Sequence, residues 1–150
     1  MRLNGVMQIS ASPDRVAQAL EQPDVLRALL PGEASVEKTS AGQYSFTLKK
    51  TLGFLELRQN GTIQLTRVDQ GVSLVVHAAH RIGGSADMSV LIGLTPGTGA
   101  GTRIAYVGTM EASGLAGRLL RDREPQVRPY IARVFERMRA QIEAAPSVVG

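Results

Sequence analysis

Side chains able to move protons or hold a metal near neutral pH are few in this sequence. His77 and His80 are its two histidines, and it contains no cysteine. They lie three apart on a stretch that alternates apolar and polar residues, which sends their rings to opposite faces of a strand. Binding one metal would need a bulge between them, and no third ligand is evident. The lack of cysteine removes disulfides, thiolate metal sites, iron–sulfur clusters and a thiol nucleophile, and it favours a reducing, cytoplasmic setting. Gly97-Thr98-Gly99-Ala100-Gly101-Thr102 has the glycine content of a phosphate loop. It lacks the lysine of one, fails the dinucleotide spacing and precedes a strand, so it reads as a hairpin connection. No nucleophile elbow is present, and no serine–histidine–acid spacing is recognisable. The sequence therefore assigns no catalytic residue, no metal site and no cofactor.

The informative residues are polar ones on apolar faces. Gln59 shares parity with Leu55, Leu57 and Ile63, and His80 with Val72, Leu74 and Val76. Tyr106 lies between Ile104 and Met110, and Tyr130 borders a helical stripe. An apolar pocket with a few polar groups is what a small-molecule site requires. Equally, Gln59 and His80 at strand ends can reach water, and packed tyrosines can satisfy their hydroxyls locally. Shared strand parity, or a place on or beside the helical stripe, nominates Phe46, Leu57, Gln59, Leu74, Val76, His80, Met88, Val90, Tyr106, Tyr130, Val134 and Met138 as the lining of one interior space. Met88, Met110 and Met138 suit either an adaptable lining or core filling.

Two charged features stand apart. Lys49-Lys50 precedes Thr51-Leu52-Gly53-Phe54-Leu55, a turn with apolar residues where turns are normally polar. It reads either as a loop that touches a membrane or gates a cavity, or as packing against a neighbouring helix. Gate candidates are Leu29 and Leu30, the turn Leu52, Gly53 and Phe54, and the pair Gly83 and Gly84. Between residues 118 and 139, seven arginines outnumber three acids, which accounts for the whole net charge of +4. Such a helix presents either a solvated face or a surface for an acidic partner or an anionic membrane. Nucleic acid is not expected, because aromatic residues make up 4% of the chain and no nucleic-acid motif appears.

The elements that must position these residues follow from periodicity. The first ten residues alternate as a strand. Ser12-Pro13-Asp14 supplies an N-cap, a proline at the first helical position and an acid for the first turn of a helix ending near Leu20. Gln22-Pro23-Asp24 opens a second short helix carrying Val25, Leu26, Leu29 and Leu30, which Pro31-Gly32 stops. Residues 34–110 read as consecutive strands with short turns, hence an antiparallel sheet. The strand of Tyr44, Phe46 and Leu48 is expected to break at Lys49-Lys50-Thr51. Val127, Ile131, Val134, Met138 and Ile142 define a long amphipathic helix from about residue 115 to 144, whose first half Pro125 and Pro129 should kink or interrupt. At 150 residues the chain is one domain over 1–145 with a loose tail over 146–150, and no apolar run is long enough to span a bilayer. Met1-Arg2-Leu3-Asn4-Gly5 does not read as a secretory signal.

This order of elements resembles the helix-grip fold of the START-like (SRPBCC) superfamily, which includes the pollen-allergen type and polyketide cyclases. More narrowly the chain resembles the CoxG-like family associated with carbon monoxide dehydrogenase. The likeness is carried by Leu3-Asn4-Gly5, Ser12-Pro13-Asp14-Arg15-Val16 and Pro23-Asp24-Val25-Leu26. Leu30-Pro31-Gly32 through Val36-Glu37, Gly61, and Gly101-Thr102-Arg103-Ile104-Ala105-Tyr106 continue it. The chain departs from the pattern at Val16-Ala17, where many members have a tryptophan, and at Glu33, where many have a cysteine. Some members add a C-terminal extension proposed to attach them to the membrane, so an anchoring role is not expected here.

The resemblance implies an α+β fold in which an antiparallel sheet wraps a long C-terminal helix, with two short helices after the first strand. It implies non-enzymatic binding of a hydrophobic small molecule or lipid, quinone-like in type, between sheet and helix. The cellular role it implies is accessory to a carbon monoxide dehydrogenase or related molybdenum hydroxylase, in the cytoplasm or at the inner face of the membrane. Two other classes stay open. One is a cyclase- or hydrolase-like enzyme using Tyr106, His80 or Glu111 as acid–base groups. The other is a filled interaction module that docks an acidic protein through the arginine face.

Overall fold

Leu3, Gly5, Met7 and Ile9 share one face of the first strand, and that alternation is repeated through the sheet. A computed structural model of the chain describes residues 1–30, 33–52, 55–80, 84–113 and 124–144. They form β1 (Arg2–Ile9), α1 (Pro13–Leu20), α2 (Pro23–Ala28), β2 (Glu33–Ser40), β3 (Gln43–Leu52), β4 (Leu55–Val68), β5 (Gly71–His80), β6 (Gly84–Pro96), β7 (Thr102–Ala112) and α3 (Glu124–Ala144). The described strands make one seven-stranded sheet in the order β1-β7-β6-β5-β4-β3-β2, antiparallel at every pairing. The short helices thus separate β1 from β2, which lie at opposite edges.

Local chemistry explains the helices. Ser12 caps α1 by accepting a hydrogen bond from the Arg15 amide at 3.3 Å, and Pro13 occupies the first turn, where its missing N–H costs nothing. Val16, Ala17 and Leu20 are buried from α1, and Val25 and Leu26 from α2. From α3, Ile131, Val134, Phe135, Met138 and Ile142 are buried against the sheet. Side chains of this size each contribute about 1.5–3 kcal/mol on full burial, so α3 is held chiefly by this stripe. Polar contacts fix its C-terminal half to β1. Glu143 Oε1 accepts from the Ser10 amide at 3.0 Å, and Arg139 Nη1 donates to the Gln8 carbonyl at 3.5 Å.

Two glycines let large rings lie flat across the inner face. Gly5 pairs with Tyr106 and Gly61 with Phe46. A Cβ at either glycine would collide with its partner's ring, and at Gly61 also with the His77 carbonyl.

Two expectations need correction. β3 does not break at Lys49-Lys50-Thr51 but continues to Leu52, because Lys49 pairs with both Glu33 and Arg58, Lys50 with Leu57, and Thr51 with Glu56. Pairing with β4, and at Lys49 also with β2, holds a polar run that periodicity alone reads as a break. Nor does Pro129 interrupt α3, which is continuous over Glu124–Ala144. Pro129 removes one rung of the helical ladder, and the rungs around it carry the helix through. The expected helical segment before Glu124, Pro31-Gly32, the turn residues Gly53 and Phe54, Gly83, and the tail over 146–150 lie outside the described residues.

Candidate functional site

The space between sheet and α3 is built from alternate positions on the strands. Phe46, Leu74, Val90, Tyr106, Val134 and Met138 are buried there, and Val76, Met88 and Tyr130 are half-buried beside them. Gln59 is half-buried at the inward register, opposite Leu48 on one side and His80 on the other. His80 ends β5 and Leu57 lies in β4, but the side chains of both, and of Leu52, are outside the described residues. Strand parity thus places seven of the nominated side chains at inward registers with no slip, and Tyr130, Val134 and Met138 are buried or half-buried on α3.

At the centre Tyr106 stacks on Phe135, with ring centroids 4.0 Å apart and planes 1° from parallel. Periodicity marked Phe135 only as a flank of the helical stripe; its burial between strand and helix could be inferred from its place beside Val134, but its pairing with Tyr106 could not. The far end of the Tyr106 ring crosses Gly5 toward β1, beside a hollow of about 40 Å³ lined by Leu3, Asn4, Tyr106 and Ile131. Burial raises the Tyr106 hydroxyl above its ordinary 10.0, so this group is a neutral donor at physiological pH. Two other inner hydroxyls are already engaged. Tyr44 donates to the Glu21 carbonyl at 2.7 Å, and Thr102 donates to the Ala11 carbonyl at 2.6 Å.

Among the described residues, the acid–base candidates Tyr106 and Glu111 do not come together. Glu111 is exposed and stands at the outward register, on the other side of the sheet from Tyr106. His77 is likewise outward, where its Nδ1 contacts Asp87 across β5 and β6. Among the described residues, no group of three or more metal-ligating side chains comes together. Tyr106 and Glu111 thus stand on opposite faces, and the His80 side chain is outside the described residues.

Three larger hollows open to the surface; one of about 390 Å³ is lined by Glu21, Tyr44 and Arg67, among others, and the remaining two border Lys49 or Leu30. One of about 660 Å³ is lined by outward-register residues, among them Ser35, Thr47, Lys49, Arg58, Asn60 and Ala79, so it lies behind the sheet. The other, about 350 Å³, lies between α2, β2 and α3 and is lined by Asp24, Arg27, Leu30, Ala34, Arg137 and Gln141, among others. Leu30 therefore stands where α2 meets β2 and the C-terminal helix, with half-buried Leu29 just before it. Leu30, proposed from the sequence as part of a gate, borders this second hollow.

The sequence profile of the carbon monoxide dehydrogenase CoxG family matches residues 5–143. The chain belongs to this family. It is also similar to solved structures that share its helix-grip architecture at low identity. A conserved protein from Geobacillus kaustophilus superposes with a TM-score of 0.72 at 18% identity, covering 95% of each chain. A protein from Thermus thermophilus gives 0.68 at 16% identity, covering 98% of this chain and 100% of the other. The Zhui aromatase/cyclase from Streptomyces gives 0.63 at 12% identity, covering 100% of this chain and 98% of the other. At these identities the likeness is one of fold. No curated protein matches the chain at the sequence level.

Proposed function

We propose that this CoxG-family protein is a non-enzymatic binding module for a flat, apolar molecule such as a quinone or a lipid. The ligand occupies the space between the sheet and α3, with the buried positions nominated from sequence as its lining. The observation that carries the reading is the coplanar Tyr106–Phe135 stack, set in a buried cluster that includes Val90 and Met138 and carrying one polar hydroxyl at its edge. A flat ring bound against Tyr106 takes the position of Phe135, and the Tyr106 hydroxyl donates to a carbonyl at the ring's rim. Access runs through the segment around Leu29 and Leu30 or through the turns at Leu52-Gly53-Phe54 and Gly83-Gly84, which separate without stranding many polar groups. Family membership supports an accessory role beside a carbon monoxide dehydrogenase or related molybdenum hydroxylase. The basic helix and Lys49/Lys50 suit an acidic protein surface or the anionic inner face of a membrane. No described helix is long and apolar enough to cross a membrane.

A second reading rests on the same stack: rings this closely packed also describe a filled core that binds nothing. Titration with a short-chain quinone, followed by tyrosine fluorescence, separates the two. If the ligand takes the Phe135 position, Phe135→Ala binds at least as tightly as wild type and Phe135→Trp binds about tenfold or more weakly, a loss near 1.4 kcal/mol. Absence of saturable quenching in wild type and in Phe135→Ala alike supports the filled core instead.

A further inference from the structure

The back of the sheet carries a feature that the interior does not explain. The exposed large hydrophobic side chains among the described residues are Val6, Val68, Val75, Leu91 and Val107, between 41% and 58% exposed. All five lie at outward registers, on the face away from α3. The strand pairings arrange that face in rows. Val107 stands beside Leu91, with Asn4 and Ser73 completing the row. On one side lies the row of Val6, Ala105, Gly93, Gly71 and Val68; on the other, Arg2, Thr109, Ser89, Val75 and Gln64.

The charges beyond these rows are disposed about Val107. Arg103 precedes it by four residues and Glu111 follows it by four, so both point outward on the same strand, each about 13 Å away along β7. Both are exposed, and neither side chain has an ion-pair partner among the described residues. We propose that this face is the interface of a homodimer, two sheets packed back to back about a two-fold axis that crosses β7 at Val107.

An axis in the plane of the sheet and perpendicular to the strands reverses strand direction between the copies. It sets Val107 against the partner's Val107 and Leu91 against the partner's Leu91. It brings Arg103 over the partner's Glu111, and Glu111 over the partner's Arg103. It also lays Val75 over the partner's Gly71, where no side chain competes for the space. An axis along the strands would instead put like charges together. This geometry is isologous, and sheets packed face to face align within about 30° with about 10 Å between them, a gap that arginine and glutamate span together. Five strands by five rows give about 650 Å² per copy in projection, near the roughly 800 Å² per partner of a stable interface. A second copy fits better than a lipid surface, because the patch is flanked by charges of both signs rather than by cations alone.

The test is sedimentation velocity across a hundredfold range of concentration, with far-UV circular dichroism confirming that each variant is folded. Wild type should reach twice the 16.0 kDa chain mass. Val107→Lys, which places two lysines on the axis, should weaken dimerisation about tenfold or more, and Leu91→Lys should do the same as an independent check. Arg103→Glu and Glu111→Arg should each weaken it, and the double reversal should recover it. A wild type that is monomeric throughout overturns the proposal, as does a dimer insensitive to Val107→Lys or a double reversal that recovers nothing. Monomeric wild type that co-sediments with anionic vesicles through Val107 would also overturn it, assigning the face to lipid.

Discussion

Single residues set how the interior is filled. Tyr44 and Tyr106 both have hydroxyl pKa values raised by burial, Tyr44 also by the charge of Glu21. A phenol whose folded pKa exceeds its unfolded value contributes stability that is intact below 10.0 and is lost as pH rises through the folded value. Urea midpoints should therefore fall more steeply above about pH 10 for wild type than for Tyr106→Phe, because the variant lacks that ionisation. A slope unchanged in the variant would place the Tyr106 hydroxyl in solvent in the folded state. Gly61→Ala tests the ring packing. Its Cβ would meet the Phe46 ring and the His77 carbonyl, and backbone cannot yield as a side chain does. The expected cost is about 1–3 kcal/mol by denaturant unfolding.

These residue-scale features were partly legible in sequence. Tyr106 announced itself as a polar residue on an apolar face, and alternation alone gives its direction. Its stacking partner did not, since Phe135 sits on a helix whose rotation about its axis periodicity fixes only to within a residue. The Tyr44 hydroxyl bond to Glu21 joins a strand to the end of α1, and nothing local in either segment encodes it.

Among elements, α3 depends on its buried stripe and α1 on its cap. Met138 and Ile142 are fully buried. Met138→Ala should cost about 2–5 kcal/mol, whereas Ser12→Ala, which removes one capping bond at an exposed helix start, should cost about 1 kcal/mol. Comparable losses from the two would mean that α3 is not the clamp described. The helix starts were readable because Ser12-Pro13-Asp14 and Pro23-Asp24 act locally. The extent of β3 was not, because what keeps Lys49 to Thr51 in the ladder is pairing with β4, joined at Lys49 by β2. Such pairing is non-local and overrides the polarity of the run.

At the scale of the whole molecule, the sheet has two working faces. Its inner face holds α3 and the proposed ligand space; its outer face carries the apolar stripe and His77 paired to Asp87. Element order and motif spacing were enough to place the fold, since seven strands and a terminal amphipathic helix have few ways to enclose one core. The outer stripe was not legible as a unit. Val6, Leu91 and Val107 are a hundred residues apart at the extremes and become neighbours only through the β1–β7–β6 pairings. Alternation along β7 puts Glu111 and Tyr106 on opposite faces of the sheet, so these two do not share a site.

Native mass spectrometry of the protein purified without detergent tests the central claim most directly. The account predicts a folded species heavier than the 16.0 kDa chain by the mass of a small apolar molecule for each copy, extractable into organic solvent and lost in Phe135→Trp. A folded species at the bare chain mass, unchanged after incubation with short-chain quinones or fatty acids, would contradict it.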